Sequence, residues 1–273
     1  MSERQYSVAV LIPTRGRTTA LQRSIVSVFN RITTGKKPVQ LVVGFDEDDT
    51  ASFEYFEKEI EPWLESKKVD FTVMMFPRLG YTRLHEYYNA MAMETDSDWL
   101  FVWNDDALMD STGWNKIIES KTGEFKLLSV RTHRDHPNSI FPILPRAWFD
   151  INKYLSPHQL VDTWVSQIGY FLDIFERLDI YVTHDRYDLT GNNKDDTYAG
   201  RRSLEGNPSS PDDFSYPSWH SLRIQNTHEV ADYLRKNGGD LTFWDNVLAG
   251  KQDPFEKMRE NDPNKMMNIH GPR

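Results

Sequence analysis

Residues 98–110 read Asp98-Trp99-Leu100-Phe101-Val102-Trp103-Asn104-Asp105-Asp106-Ala107-Leu108-Met109-Asp110. Five consecutive apolar residues, Trp99 to Trp103, break abruptly into an amide and two carboxylates. An apolar run of that length without alternation predicts a strand buried on both faces, as in a parallel sheet. The carboxyl ends of such strands line the crevice where open α/β sheets bind ligands. Two adjacent carboxylates repel, so a pair placed there calls for a compensating cation or a set of donors. Taken alone, Asn-Asp-Asp reads more simply as a polar turn. Its neighbours in the chain decide between the two.

Upstream, Val8–Ile12 is an apolar run closed by Pro13-Thr14-Arg15-Gly16-Arg17, and Thr18 is placed to cap a helix running to about Arg31. A second run, Val39–Phe45, ends in Asp46-Glu47-Asp48-Asp49, and a helix is expected over Ala51–Leu64. Val69–Phe76 forms a third run, Gly80 follows, and a helix is expected over Thr82–Met93. Strands alternating with helices at this spacing predict an α/β fold with a mainly parallel sheet flanked by helices. Thr14–Arg17, Asp46–Asp49 and Asn104–Asp106 then share one rim.

Beyond Asp110 the pattern loosens. Strands are expected at Phe125–Val130, Ile140–Leu144 and Ile180–Thr183, with a helix opening at Asp162 and reaching about Arg177. Asp185–Asp213 has loop composition, and helices are expected near Thr227–Lys236 and Leu241–Leu248. The division predicted is a catalytic domain over 1–200 and a helical or irregular C-terminal extension over 201–273, frayed at its end.

With 273 residues, 38% hydrophobic and 13% aromatic, the chain has material for a substantial core. It has no cysteine, so disulfides and thiolate metal sites are excluded, and a cytoplasmic setting is expected. No apolar run approaches the ~20 residues of a membrane helix. A net charge of −9 disfavours broad attraction to nucleic acid or anionic lipid.

In their order and spacing these motifs resemble the nucleotide-sugar-dependent glycosyltransferases of the GT-A fold, especially the family-2-like group, over residues 8–198. Ile12-Pro13-Thr14-Arg15-Gly16-Arg17 is similar to that family's opening strand and nucleotide-binding turn. Asp46 matches its base- or ribose-binding acid. Leu79-Gly80-Tyr81-Thr82-Arg83 resembles the turn whose basic residue reaches the nucleotide. Asn104-Asp105-Asp106 stands where the family has its D-x-D motif, with Asn104 in place of the first acid. The resemblance implies donor contacts from Pro13, Thr14, Arg15, Arg17, Asp46, Gly80, Arg83, Asn104 and Asp105. It also implies Mn²⁺ or Mg²⁺ held by Asp106, with His184 completing the shell because imidazole suits Mn²⁺.

An acid at the start of a helix under the acceptor pocket is the general base of inverting members, and Asp162 occupies that place. A helix cap explains Asp162 equally well. The implied reaction moves a sugar from a nucleoside-diphosphate sugar, with UDP the commonest carrier, to a hydroxyl of a carbohydrate or other acceptor. The alternatives are a hydroxymethylated base in DNA, met by Arg131, Arg134, Arg146, Arg201 and Arg202, and a non-catalytic nucleotide-sugar-binding module. A nucleotidyltransferase would want a more glycine-rich loop than Thr14–Arg17. The loop Leu189–Ser203 has the glycine, asparagine and basic residues to close over a donor.

Overall fold

The computed structural model describes residues 3–132, 136–185 and 213–260. Four parallel strands form its first half: β1 (Tyr6–Thr14), β2 (Val39–Asp46), β3 (Asp70–Phe76) and β4 (Ser97–Val102). The sheet continues through β5 (Ala107–Met109), β6 (Leu127–Thr132), β7 (Ile143–Pro145) and β8 (Phe175–His184) in the order β3-β2-β1-β4-β7-β6-β8-β5. β7 runs antiparallel to β4 and β6, and β5 antiparallel to β8, while β6 and β8 are parallel. The result is a mainly parallel α/β sheet, as the apolar runs imply.

β1 explains the run reading. Val8, Val10 and Ile12 pack into one core and Ala9 and Leu11 into the other, so successive side chains serve opposite faces and both faces are covered. The first core lies under α1 (Thr18–Phe29); the second is filled by α4 (Leu84–Met93), α6 (Arg146–Asn152) and α7 (Val161–Phe171). Val230, Ala231 and Leu234 of α8 (Pro217–Lys236) join that second core, as does Trp244 of α9 (Thr242–Leu248). No described helix is long and apolar enough to cross a membrane.

Several local expectations are corrected. The helix expected over Ala51–Leu64 is α2 (Thr50–Tyr55), a π-helical stretch (Phe56–Ile60) and α3 (Glu61–Ser66). Pro62 has no N–H and its ring crowds the carbonyl four residues earlier, which a widened turn relieves. Thr18 is not a cap: Arg17 holds the N-cap position without a side-chain cap. α7 stops at Phe171 rather than near Arg177, because Asp173 takes positive φ (54°) and turns the chain into β8. β5, α5 (Trp114–Glu119), α6 and α10 (Glu256–Glu260) were not foreseen; each is short, and so carries little periodicity. α8 begins ten residues earlier than expected, at Pro217, a residue suited to a first helical turn. The boundary at residue 200, the loop 189–203, Arg134, Arg201, Arg202 and the tail from residue 261 lie outside the described residues.

Candidate active site

The parallel register brings three loops together. Thr14 lies beside Phe45, Asp46 beside Phe76 and Leu11 beside Val102, so β1, β2 and β4 all end on one rim. The chain leaves β4 through Trp103 and is held by serines of α1. Ser24 Oγ accepts the Trp103 indole N–H (2.8 Å) and donates to the Asn104 carbonyl (3.3 Å), while Ser27 Oγ accepts the Met109 N–H (2.9 Å). These serines, one helical turn apart, fix Asn104–Asp106 against the sheet.

Both carboxylates are buried, Asp105 at 1% and Asp106 at 7% exposure. Thr14 Oγ1 donates to Asp105 Oδ2 at 2.7 Å, and Arg17 spans the pair, with Nη2 2.9 Å from Asp105 Oδ1 and Nη1 3.2 Å from Asp106 Oδ2. The antiparallel pairing of β5 with β8 sets Ala107 opposite His184, which carries His184 Nε2 to 3.2 Å from Asp106 Oδ1. Burial pushes the Asp106 carboxyl up, yet His184 and the Arg17 guanidinium outweigh it and leave the group below the ordinary carboxylate value.

Asp46, at 3% exposure, ends β2 between two partners. Arg15 Nη1 lies 2.9 Å from its Oδ2, and the Tyr87 hydroxyl donates to its Oδ1. Arg15 also clasps Asp48, with Nη2 to Oδ2 at 3.0 Å, and this holds Asp48 below its ordinary value. Tyr87 Oη in turn accepts the Leu79 N–H (3.0 Å), so α4 ties the acid to the turn at Gly80. Burial and the Asp46 contact push the Tyr87 phenol up to about 12. Gly80 has φ 74° and ψ 179°, a backbone region open essentially to glycine alone.

Tyr88 Oη lies 3.0 Å from both the Trp103 carbonyl and Asn104 Oδ1, either of which accepts its proton. The fully buried phenol is raised well above its usual value, by burial first and then by the nearby charges of Asp105, Asp106 and Asp162. All three charges act to keep this buried hydroxyl protonated. An acid at position 104 would add a fourth charge, whereas the Asn104 amide oxygen accepts from Tyr88 without one.

Asp162 is half-buried and is the second residue of α7; Leu160 holds the N-cap position, which corrects the reading of Asp162 as a cap. Its Oδ1 accepts the Thr163 N–H at 2.7 Å. Asn138 Nδ2 reaches Thr163 Oγ1 (3.3 Å) and the Ser139 N–H reaches Ser166 Oγ (2.8 Å), anchoring the loop after β6 on the same helix.

Thus Thr14, Arg15, Arg17, Asp46, Asn104, Asp105, Asp106 and His184 gather on the rim. Pro13 lies one residue inside it, paired with Gly44. Arg83 is not gathered in: it is exposed and forms a bidentate pair with Glu86 at 2.5 Å. His85 is half-buried, and burial lowers its pKa. Tyr87, Tyr88, Ser24 and Ser27 were missed. Their signal is a polar tip on the sheet-facing side of a helix, which periodicity counts as core or solvent but never as a site.

No cluster of three or more His, Asp or Glu side chains is arranged to hold a metal ion among the described residues. Two groups do fit one. Asp106 Oδ1 and His184 Nε2 face each other without the alignment of a hydrogen bond, and both are buried without a hydrogen-bond partner. Their separation suits neighbouring ligands on one ion, each ~2.1 Å from it.

No family model matches the chain, and no curated protein matches it. Solved structures do. A mannosyltransferase from Pyrobaculum calidifontis, PcManGT, in complex with GDP-Man and Mn²⁺, is similar over 91% of this chain and 80% of its own, at 10% identity and TM-score 0.53. S. aureus TarS 1-349 in complex with UDP is similar over 65% of this chain and 60% of its own, at 14% identity and TM-score 0.50. The longer TarS structure is matched over only 36% of its length. At such identities the likeness concerns architecture, and it joins the sheet order in one conclusion: the chain has the GT-A fold.

Proposed function

We propose that this protein transfers a sugar from a nucleoside-diphosphate sugar to an acceptor hydroxyl, with inversion at the anomeric carbon. The observation that carries the reading is the buried pair Asp105 and Asp106 bridged by Arg17, on the rim that also bears Asp46 and Arg15. Asp46 and Arg15 suit the nucleoside, since a buried carboxylate and a guanidinium offer acceptor and donor to a base or ribose. Arg17 and the Thr14 hydroxyl lie where a diphosphate would pass. Asp106 and His184 would hold a divalent cation, which supplies neutralisation of the charge growing on the leaving diphosphate.

Asp162 serves as base in this scheme. Its Oδ2 makes no hydrogen bond among the described residues and is open to take the acceptor proton. As that proton moves to Asp162, the acceptor oxygen bonds the anomeric carbon and the bond to phosphate breaks, its electron pair leaving with the diphosphate. UDP is the first candidate carrier: TarS was solved with UDP, although PcManGT was solved with GDP-Man. A carbohydrate or glycoconjugate acceptor is favoured over DNA. Arg131 is paired with Asp179 (3.3 Å), and Arg146 with Asp150 (3.2 Å) and the Thr95 carbonyl (2.9 Å), so neither offers a free charge to a phosphate backbone.

A thermal-shift screen of nucleoside diphosphates and nucleotide sugars, with and without Mn²⁺, tests the reading. Metal-dependent stabilisation by UDP or GDP and not by ATP is expected. No response to any nucleoside diphosphate would overturn it, and binding without release of nucleotide from any donor would favour a non-catalytic module.

A further inference from the structure

Arg223 of α8 is a buried cation at 5% exposure, and no carboxylate lies within ion-pair distance of it among the described residues. Its guanidinium carbon sits 4.1 Å from the Phe214 ring centre and 5.5 Å from that of Trp164. Its one hydrogen bond among the described residues is a long one, Nη1 to the Phe214 carbonyl at 3.4 Å. Nε is buried without a partner, and so is the indole Nε1 of the neighbouring Trp164. A guanidinium carries five donors and has no acceptor of its own. Arginine is almost never fully buried unless paired, since an uncompensated interior charge costs several kcal/mol by general estimate. Burial alone lowers its pKa, to about 10, with no acid acting against that shift.

The unmet groups here are donors on both side chains, so the missing partner is an acceptor with several lone pairs and a negative charge. The cluster is not sealed. Phe214 and Trp219, 6.3 and 6.2 Å from Trp164 ring to ring, are half-buried and form its outer edge. Trp164 and Asp162 are two residues apart in α7, which sets them on different faces of the helix. The cluster is therefore separate from the acidic rim.

We infer that Arg223 and Trp164 form an oxyanion-binding site, taking a phosphate or carboxylate group between the guanidinium edge and the indole N–H under the Phe214 and Trp219 rings. The inference does not rest on the transferase reading, because it concerns other residues and is tested without nucleotide or divalent cation.

The test is an NMR titration of the ¹⁵N-labelled full chain with inorganic phosphate, acetate and glycerol phosphate. The Arg223 Nε–H and Trp164 Nε1–H signals are assigned by their loss in Arg223→Lys and Trp164→Phe. Both should move together and saturate. A response to phosphate alone marks a free ion as the ligand, a stronger response to glycerol phosphate marks a group on a larger molecule, and a response to acetate alone marks a carboxylate. Thermal melts supply the second arm. In anion-free buffer Arg223→Met should melt no lower than the wild type, having lost an uncompensated charge, and phosphate should stabilise the wild type but not Arg223→Met. Signals that ignore all three probes, or equal phosphate stabilisation of wild type and Arg223→Met, would overturn the site.

Discussion

Arg17 Nη2 stands 2.9 Å from Asp105 Oδ1, and through this contact two adjacent carboxylates remain buried with one guanidinium between them. Arg17 reaches Asp106 as well, at 3.2 Å, so it neutralises the pair from the side of the Thr14–Arg17 turn. Removing one partner from a buried ion pair costs about 3–5 kcal/mol. Arg17 is 18% exposed, which reduces the expectation for Arg17→Met to about 2–3 kcal/mol. If the carboxylates form a cation site, Mn²⁺ at millimolar concentration should restore much of that loss. Urea unfolding with and without Mn²⁺ measures both. A variant that Mn²⁺ leaves unchanged would remove the metal from the scheme.

Asp106 and His184 should together decide the metal dependence of nucleotide binding. Altering groups that hold or orient a metal typically costs 10–100-fold in affinity. Asp106→Asn and His184→Ala are therefore expected to weaken nucleoside diphosphate binding in Mn²⁺ by at least ~10-fold, with little change in its absence. Calorimetry with UDP and GDP reads this directly. Equal weakening with and without Mn²⁺ would mean that the two side chains only hold β5 against β8.

The sequence carried the architecture because β1, β2 and β4 are buried on both faces, and a strand with two buried faces must be apolar throughout. Asp46 and Asp105–Asp106 were legible for the opposite reason, since acids directly after such strands have nowhere to go but the rim. Arg83 stays apart from the rim: Glu86 lies one helical turn further on and pairs with it, a contact the glycine turn alone does not announce. Asp162 was placed at the right helix but at the wrong position in it, because Leu160 takes the N-cap without any capping side chain. The aromatic cluster around Arg223 could not be read at all: Trp164 is far in the chain from Phe214 and Trp219, and only the packing of α8 and the residues just before it against α7 joins them.

Tyr87 gives a pH dependence with a defined direction. Its phenol titrates at about 12 in the folded chain against an ordinary value of 10.0. The folded state thus prefers the protonated form, and the stability this confers is complete below pH 10. It is lost as pH rises from 10 towards 12, by about 2–3 kcal/mol for a shift of this size. Tyr87→Phe should lose less stability than the wild type across that window. Denaturant midpoints at pH 9, 10.5 and 12 make the comparison. Parallel losses in both proteins would show that Tyr87 ionises no differently in the folded chain, and would weaken the case for the Asp46 contact in the proposed nucleoside site.

Asp162 offers the sharpest separation between chemistry and scaffold. As a base it is needed only while the acceptor proton moves, so Asp162→Asn should leave donor binding within about twofold and cut turnover by roughly 10²–10⁴. The amide keeps the size of the side chain and can still accept the Thr163 N–H through its oxygen, so α7 and its first turn should stand. Turnover lost while donor affinity is kept is a split that loosened packing would not produce. Nucleotide release from the donor identified by thermal shift, measured for both proteins beside their donor affinity, provides the comparison. A variant that retains turnover would return Asp162 to a purely structural place in the first turn of α7, and would leave an inverting mechanism without its base.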